Sequence, residues 1–452
     1  MRRECARASE RRLVIAVCVA GVCWSICGEA AGGAEDRESE VTAGNRPMRS
    51  ARTLVLTVGQ TEGDLCGSDD KAIQAGVDYL HRLGGGTLRI LPGVYELSNA
   101  IYLRPHITLS GSGEQTVLRK NASVVTKLVR DSDWYEYGVE VDDPAGFAPG
   151  GGIMLRSSTG PGPWQYDVLR ATITAIEGKV LFLDRMTQKN FWIQDDATAA
   201  TLFPILTAEG VDNVRIENLV LDGNRDRNEN INGNFAGAVF IQGCNRWGFT
   251  NVVARNYNGD GFSFQVCDDI HFEGCQALNN ADLGFHPGSG SQRPVFRRCT
   301  AKGNSQGIFF CWGVSDGLVE NCTISENSRY GISIGHRDTD NLVRNCTIER
   351  NGEVGILFRA EVGQFRCGHR NRIEGCTIRD NGTQKPGIGI DIQGATHDIT
   401  VCDTRLESTT ASDQRTGIRI GERAERVLLQ GNTYEGCPIA VEDLRSSEHK
   451  LQ

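Results

Sequence analysis

Residues able to do acid–base or binding chemistry recur at regular intervals between positions 260 and 361. They follow five successive short apolar segments, and two of the eight histidines in the chain are among them. The set is Asp260, Gln265, His286, Ser289, Cys311, Trp312, His336, Arg337, Asp338, Asp340, Arg359 and Glu361. Histidine is a common general acid or base, arginine can neutralise a carboxylate, and two carboxylates can act together on one glycosidic bond.

The intervals come from a sequence repeat. Five segments share a cysteine, four further residues and an asparagine, followed by glycine and alternating apolar residues. The first four of these cysteines are 23 or 24 residues apart, and all five are Cys275, Cys299, Cys322, Cys346 and Cys376. A period of this length, with short strands and no helix signal, is typical of one coil of a parallel β-helix. We therefore predict an all-β, single-stranded parallel β-helix.

Stacked coils place equivalent residues about 4.8 Å apart. The asparagines of the repeat would then form an internal ladder of side-chain amides, made of Asn280, Asn304, Asn327, Asn351 and Asn381. The five cysteines, together with Cys402, would fill one buried column as small hydrophobic residues. We therefore do not predict a disulfide framework, and only a Cys367–Cys376 pairing is left open.

Because coils stack, residues that follow successive strands are expected to share one patch on the solenoid. In this patch His286 and His336 are the candidate base and acid, and Arg359 is the candidate partner of a substrate carboxylate. Asp338 and Asp340 are candidates to orient a histidine or to bind Ca²⁺, which prefers several oxygen ligands. No other cofactor is indicated.

Candidate substrate-binding residues surround these groups. Trp312 follows a strand where no core requires a large ring, so it offers a stacking surface, and the loop of Asp222 and Asn224 could border a cleft. The other candidates are Gln265, Ser289, Arg337 and Glu361. Each residue also has a purely structural interpretation, as a turn residue, a member of a surface ion pair or a packed neighbour.

The chain divides into regions by composition. Residues 1–34 begin with arginines and continue with an apolar run and small residues, which predicts a cleaved signal peptide and a secreted or periplasmic protein, with a membrane anchor as the alternative. Residues 35–52 predict a linker. The regions that follow are a cap helix with the first coils at 53–121, an inserted β subdomain at 122–206, the repeats at 207–445 and a tail at 446–452.

The cap helix is predicted from the apolar spacing of Ile73, Val77, Leu80 and Leu83 after the sequence Ser68-Asp-Asp. The inserted subdomain lacks the coil period but contains several short strand-like segments. It would either shape a cleft or cover the cap, and we favour the cleft.

The net charge restricts the classes of molecule that the protein is expected to bind. The chain has 48 lysines and arginines against 57 acidic residues, a net charge of −9, which argues against nucleic-acid binding because that requires basic clusters. Its 54 glycines indicate many tight turns. No internal apolar stretch is long enough to span a bilayer, so we expect no integral membrane domain. We also expect a monomer.

The segment 69–118 and the coils from 211 onward resemble the pectate-lyase-like superfamily of right-handed parallel β-helices, in which a helix covers the first coil. The run Leu283-Gly-Phe-His-Pro-Gly288 is similar to the Tyr-Gly-Phe-Asp-Pro-His run of mannuronan epimerases and related lyases, with histidine in place of aspartate. Polygalacturonases carry a Gly-His-Gly motif, and Gly331-Ile-Ser-Ile-Gly335 is similar to its end, with Tyr330 where histidine stands.

These resemblances imply a secreted enzyme acting on an extracellular polysaccharide. The first expectation is lyase or C5-epimerase chemistry on a uronate-containing glycan. One alternative is an inverting glycoside hydrolase of the polygalacturonase-like type, with Asp260 and either Asp338 or Asp340 as its carboxylates. The other is a glycan-binding β-helix protein without catalysis, since a fold does not determine a function.

Overall fold

The computed structural model describes residues 54–160, 166–361, 363–409 and 414–446 of the chain. The predicted signal peptide at 1–34 and the linker at 35–52 lie outside these ranges, as does most of the predicted tail. Within the described ranges, no helix is long and apolar enough to cross a membrane.

The chain winds into a parallel β-helix whose coils contribute strands to three faces. Faces 1 and 2 are continuous, because Arg215–Asp222 and Asn245–Arg255 bend from one into the other. The remaining strands of face 1 are Val55–Gly59, Leu65–Cys66, Gly86–Ile90, Ile107–Ser110, Asp268–Glu273, Val295–Arg297, Leu318–Glu320, Leu342–Arg344, Arg372–Glu374, His397–Cys402 and Glu425–Gln430. Those of face 2 are Gly93–Leu97, Thr116–Lys120, Gln276–Leu278, Thr300–Lys302, Thr323–Ser325, Thr347–Glu349, Thr377–Arg379, Arg405–Glu407 and Thr433–Glu435.

Face 3 is a separate parallel sheet that positions the candidate chemistry. Its strands are Ile101–Tyr102, Leu206–Glu209, Gly237–Gln242, Asp260–Gln265, Leu283–Pro287, Gln306–Phe309, Tyr330–Ile334, Val354–Phe358, Gly387–Ile392, Gln414–Ile420 and Ile439–Asp443. Alternate residues of each strand point inward and pack with faces 1 and 2 into one continuous hydrophobic core. The all-β parallel β-helix that the repeat predicts is confirmed.

A residue with left-handed backbone turns the chain between faces 1 and 2 in successive coils. Asn321 and Asn345 adopt φ values of 54°, and Gly375 adopts 60°. Asparagine and glycine enter this region at lower cost than other residues. The recurring bend keeps the three faces aligned from coil to coil.

The asparagine ladder forms as the repeat predicts, at the turn between faces 2 and 3. Each side-chain amide nitrogen donates to the amide oxygen of the asparagine one coil on, at 2.9–3.1 Å. The ladder ends on Gln414, whose Oε1 accepts from Asn381 at 3.0 Å. A second, shorter ladder that was not predicted joins Asn341 to Asn371 at 3.1 Å. Each rung satisfies buried polar groups and holds the coil register.

The helix Asp70–Arg82 covers the first coils. Asp69 caps it by accepting from the backbone N–H groups of Lys71 and Ala72, and its buried face includes Ile73, Val77 and Leu80. Leu83, expected as part of the same apolar stripe, ends the helix and is 56% exposed. Four short 3-10 helices in the described ranges lie in loops, at Gly113–Gln115, Ile193–Asp195, Arg225–Arg227 and Gln364–Arg366.

An antiparallel sheet is inserted into one coil of the solenoid, between the face 2 strand Thr116–Lys120 and the face 3 strand Leu206–Glu209. Its strands, in spatial order, are Val125–Lys127, Thr198–Ala200, Gly152–Ser158, Tyr166–Glu177, Val180–Leu183 and Gly138–Glu140. The sheet has its own buried cluster, which includes Leu155, Ile173 and Phe191. It is tied to the first coils through Asn99, whose Nδ2 donates to the Gly150 carbonyl and to the Thr172 hydroxyl at 3.0 Å.

The cysteines of the repeat occupy one buried column. The backbone N–H of Cys299 donates to the sulfur of Cys322, and that of Cys322 donates to the sulfur of Cys346. Cys367 and Cys376 are both buried free thiols in the described structure. The column therefore packs as small apolar side chains that also accept weak hydrogen bonds.

Lys120 is a buried charged side chain that the sequence pattern did not predict in the core. Lys120, the last residue of its strand, is fully buried, and its Nζ donates to Asn258 Oδ1 at 3.3 Å. The ammonium also lies about 5 Å from the ring centres of Phe203 and Tyr257. Burial lowers the pKa of Lys120 from 10.5 to about 7. Burying this group without an acidic partner therefore costs stability.

We expect Lys120→Met to stabilise the protein, and the gain to depend on pH. Because the folded pKa is the lower one, the unfolded chain binds more protons between about pH 7 and pH 10. The cost of burial is therefore complete below that window, decreases across it and is absent above it. The gain is expected to be a few kcal/mol at neutral pH. Urea unfolding across this pH range measures it.

The matched control is Lys127→Met, because Lys127 is exposed. Its effect should stay within about 0.5 kcal/mol at every pH. A Lys120→Met variant whose stability tracks the parent protein at all pH values would contradict the argument.

Candidate functional site

The outward residues of face 3 form columns along the solenoid axis. In the central column Phe240 pairs with Ser263, and Ser263 pairs with His286. The column continues through Phe309, which pairs with Ser333 one coil further. Neighbouring members are about 4.8 Å apart, so five coils present a continuous row of side chains.

His286 and Asp260 form a buried pair at the centre of this row. Nδ1–H of His286 donates to Asp260 Oδ2 at 2.7 Å, and the other carboxylate oxygen accepts from the backbone N–H of Leu283 at 3.0 Å. The side chains are 5% and 2% exposed. Phe285, the residue before His286, stacks in the core on Phe262 at 5.0 Å and so anchors the strand that presents the imidazole.

The charge of Asp260 determines the protonation of His286. Burial alone lowers the pKa of the imidazole, but the carboxylate of Asp260 and its hydrogen bond outweigh burial and raise the pKa to about 10. His286 is therefore an imidazolium at neutral pH. A group in this state donates hydrogen bonds and cannot accept a proton.

The second ring nitrogen of His286 has no oxygen or nitrogen acceptor among the described residues. Nε2 is buried and faces the thiol of Cys311, whose interaction with the ring helps to raise the pKa of His286, and Phe309 packs edge-on at 5.6 Å. Sulfur is a weak acceptor, so a buried charged donor that faces only a thiol is costly. A donor of this kind is a candidate contact for a substrate atom.

Asp282, a residue outside the predicted set, belongs to the same cluster. Its backbone N–H donates to the Gly259 carbonyl, next to Asp260, at 3.0 Å. Burial raises the pKa of Asp282 to about 7, and the charge of Asp260 adds to the rise, while His286 and Arg329 oppose it. Its position in the sequence, one coil after Gly259, is the signal that could have identified it.

Arg359 is the centre of a second cluster and lies three coils beyond His286. Its Nη1 donates to Ser333 Oγ at 2.9 Å, its Nη2 to the Phe310 carbonyl at 2.9 Å and to Asp338 Oδ2 at 3.1 Å, and its Nε to Glu361 at 3.4 Å. A Cβ at Gly335 would lie 2.7 Å from Arg359 Nε. Glycine at that position leaves room for the guanidinium to fold back over face 3.

Asp338 is an internal anchor in this second cluster. Its carboxylate accepts from the backbone N–H groups of Gly313, Val314 and Gly335 at 2.8–3.0 Å, besides the contact with Arg359, and its side chain is 0% exposed. Burial raises its pKa to about 6, against the opposing effects of Arg359 and the backbone donors. Its oxygens are thus engaged by donors that stabilise the turn.

His336, Glu361 and Trp312 form the outer rim of the cluster. Trp312 is 54% exposed and stacks on the His336 ring with centroids 4.6 Å apart. His336 Nδ1 lies 3.4 Å from Glu361 Oε2. Trp312 has φ of 61°, a region that a bulky residue enters only at a cost, so the surrounding turn holds the indole outward.

Gln265 and Ser289 lie beside the His286 pair. Gln265 is buried, its Oε1 accepts from the Ser289 N–H at 2.8 Å, and its Nε2 donates to Ser263 Oγ at 3.3 Å. A Cβ on Gly288 would lie 1.9 Å from Gln265 Nε2, so this close approach requires glycine.

Four predicted residues make their contacts elsewhere. Asp340 forms an ion pair with Arg370 at 2.7 Å, and Arg337 borders a separate cleft with Phe365, His369 and His397. Asp222 pairs with Arg255 at 2.9 Å, and Asn224 donates to the Lys120 carbonyl at 3.1 Å. These contacts include none of the histidines or arginines described above.

The acidic residues proposed for Ca²⁺ do not converge, because Asp338 is engaged by N–H donors and Asp340 by Arg370. Within the described residues, no group of three or more His, Cys, Asp or Glu side chains is placed to hold a metal ion.

The profile of a family described as "Right handed beta helix region" matches residues 236–367. Among solved structures, the A-module of mannuronan C-5 epimerase AlgE4 from Azotobacter vinelandii is similar with a TM-score of 0.53 and 16% identity, covering 86% of this chain and 100% of that chain. The AlgE6 A-module from the same organism gives 0.52 and 16%, covering 82% and 91%.

A structure described as a glycoside hydrolase gives a TM-score of 0.50 and 11% identity, covering 88% of this chain and 100% of that chain. No curated protein sequence matches the chain. At these identities the similarity shows the fold. The chain is a right-handed parallel β-helix, and no single family is shown.

We expect Asp260→Asn to lower the pKa of His286 from about 10 to below about 7, because burial then acts without an opposing charge. Titration of histidine ring resonances by NMR measures this, with His286→Gln assigning the signal. Ser263→Ala is the control, since Ser263 Oγ lies at 3.4 Å from the same nitrogen but carries no charge. An Asp260→Asn protein whose His286 still titrates near 10 would refute the assignment.

Proposed function

We propose that the protein acts on a uronate-containing extracellular polysaccharide, by lyase or C5-epimerase chemistry. The observation that carries this proposal is the buried Asp260–His286 pair, whose Nε2–H faces only the thiol of Cys311, a weak acceptor. A fixed cation without a strong acceptor suits a substrate carboxylate. The fold similarity to epimerase A-modules supports the same class of substrate without establishing it.

In this proposal His286 neutralises the uronate carboxylate. The C5 proton becomes acidic only when the negative charge that develops on the carboxylate during its removal is stabilised. Nε2–H of the imidazolium supplies that charge, and Asp260 keeps it in place. This role replaces the earlier expectation of His286 as base, because a group with a pKa of about 10 holds its proton at neutral pH.

Asp282 is the proposed base. Its pKa of about 7 places it between its two protonation states at neutral pH, and neighbouring groups with separated pKa values are typical of acid–base sites. Its carboxylate removes the C5 proton. In a lyase the electron pair forms the C4–C5 double bond, the C4–O bond breaks and the leaving oxygen takes the proton that Asp282 has just accepted. In an epimerase C5 is protonated from the opposite side by a water molecule, and Asp282 later returns its proton to solvent.

Arg359, first expected to neutralise the carboxylate, has a different role in this proposal. All three of its nitrogens donate to groups within the chain, so Arg359 stabilises the base of the site and does not bind a ligand. It positions Glu361, which in turn contacts His336 beneath Trp312. The exposed indole is the proposed stacking surface for a neighbouring sugar ring.

Substrate binding must displace a side chain above His286, because Nε2 is covered. Phe309 and Cys311 are the neighbours of the ring, and Phe309 also lies under the Arg359 guanidinium at 4.4 Å. Cys311 forms no ion pair with the described residues, so we propose that its side chain is the one that moves aside, giving up its contact with the His286 ring. We infer that the glycan itself causes this movement.

The hydrolase alternative receives less support from the geometry. An inverting pair of carboxylates requires an open site with about 6.5–9.5 Å between the two groups. Asp338 is 0% exposed and fully engaged, and Asp340 pairs with Arg370. Neither faces the Asp260–His286 pair across an open groove.

We expect His286→Gln to reduce turnover of polyuronates at least about 100-fold. The assay follows absorbance of unsaturated products, new reducing ends and exchange of the C5 proton on polygalacturonate, alginate and glucuronan. His271→Gln is the control, because His271 is exposed on face 1, and it should retain activity within about twofold. Reducing ends without unsaturated products would favour the hydrolase, and binding without any turnover would favour the non-catalytic protein.

We expect kcat/KM to rise with pH through about 7, as Asp282 loses its proton, and Asp282→Asn to abolish activity. Asp195→Asn, on the antiparallel-sheet side of the chain, is the control and should keep the pH profile. A full rate with an unchanged pH profile in Asp282→Asn would exclude Asp282 as the base.

A further inference from the structure

A cavity of about 180 Å³ lies where the antiparallel sheet meets the first coils of face 3. Its walls include Arg104, Arg170, Arg185, Thr207 and Glu209. Arg170 comes from a strand of the antiparallel sheet, whereas Thr207 belongs to face 3. The cavity therefore exists only because the inserted sheet is present.

Arg170 is the unusual member of this wall. Its guanidinium lies 4.2 Å from the ring centre of Phe240 and makes no hydrogen bond or ion pair with the residues the structure describes. Burial removes water from the guanidinium and lowers the pKa of Arg170, against the opposing effects of Tyr102, Glu209 and Tyr257. The five N–H donors of the Arg170 guanidinium are thus partly desolvated and have no hydrogen-bond acceptor among the described residues.

The other charges of the cavity are arranged differently. Arg104 pairs with Asp78 at 2.9 Å, and Arg185 pairs with Asp184 at 3.3 Å. Glu209 is exposed on the cavity wall and forms no ion pair within the described ranges, although its charge attracts Arg170 and Arg185 at longer range. Arg170 is therefore the desolvated charge of the cavity that has no direct hydrogen-bond or ion-pair partner among the described residues.

The cavity is aligned with the candidate active site by the register of face 3. Phe240, which carries Arg170 on its outer side, pairs with Ser263, and Ser263 pairs with His286. Two coils correspond to about 10 Å along the axis. A glycan lying along face 3 with one sugar at His286 would reach Arg170 with a sugar one or two residues away.

We propose that Arg170 forms a subsite for an anionic substituent, a carboxylate or a sulfate ester, of the glycan bound at His286. The guanidinium offers a planar pair of donors that matches either group, and Phe240 fixes its plane. The inserted sheet would then extend the binding groove beyond the catalytic coil. This inference rests on the proposed function and concerns binding rather than the chemical step.

The test measures oligosaccharide binding by calorimetry to Arg170→Met and Arg170→Lys, each in the inactive His286→Gln background and compared with that background alone. The probes are polygalacturonate and alginate oligomers, chondroitin sulfate oligomers and carboxyl-reduced polygalacturonate. Arg170→Met should weaken binding of the anionic ligand at least about tenfold and leave the neutral one unchanged. Arg170→Lys should recover part of the affinity, which shows that the charge matters rather than the fold.

In the active protein, Arg170→Met should raise KM on the anionic substrate with little change in kcat. Arg246→Met, which removes an ion-paired arginine on face 1, is the control and should alter neither value. If the parent protein turns over an anionic glycan while Arg170→Met has the same KM, the subsite is wrong and the proposed function stands. If no probe binds or reacts with the parent protein, both fail.

Discussion

Coil stacking is the constraint on which the whole molecule depends. Backbone hydrogen bonds set the distance between coils, but the amide ladder sets their register, because each asparagine bonds both to the next asparagine and to a backbone carbonyl. A shift of one residue would turn every outward side chain of face 3 into the core. The ladder therefore determines which side chains meet on the surface as well as the stability of the core.

The stacking of coils also determines which partners each buried charged side chain has. Asp338 and Arg359 follow neighbouring strands of face 3, and the pair is surrounded by backbone donors that share the cost of burial. Asp260 and His286 form a smaller pair, in which one imidazolium donor faces only the thiol of Cys311. Lys120 has no acidic partner at all among the described residues. The Asp338–Arg359 pair stabilises the base of the site, and the Asp260–His286 pair leaves a group available for chemistry. Lys120 destabilises the protein locally, and the large core offsets that cost.

The sequence predicts the fold well because its signal is repeated. Five copies of the Cys and Asn spacing define the coil, and the ladder follows from stacking alone. The site is predicted only in part. His286 and Asp260 are found because they lie on neighbouring coils, but Asp340 leaves the patch because the turn after Gly335 carries the chain over to face 1.

Orientation and burial are the properties that sequence spacing does not contain. The protonation of His286 depends on a carboxylate 26 residues away in the chain and 2.7 Å away in space. Asp282 escapes notice because a single aspartate in a turn is common, and its shifted pKa comes entirely from its surroundings. Arg170 belongs to a sheet without any repeat, so no periodicity connects it to face 3.

The loops that leave face 3 can change length while the coils stay fixed. The interval between Cys346 and Cys376 is longer than the others, and the extra chain forms the short 3-10 helix Gln364–Arg366 and the exposed ring of Phe365 at one corner. The ladder passes this insertion without a break, since Asn351 still bonds to Asn381. Ligand preference in such a scaffold can therefore diverge at its corners, by insertion and deletion, while the frame that carries it is inherited unchanged.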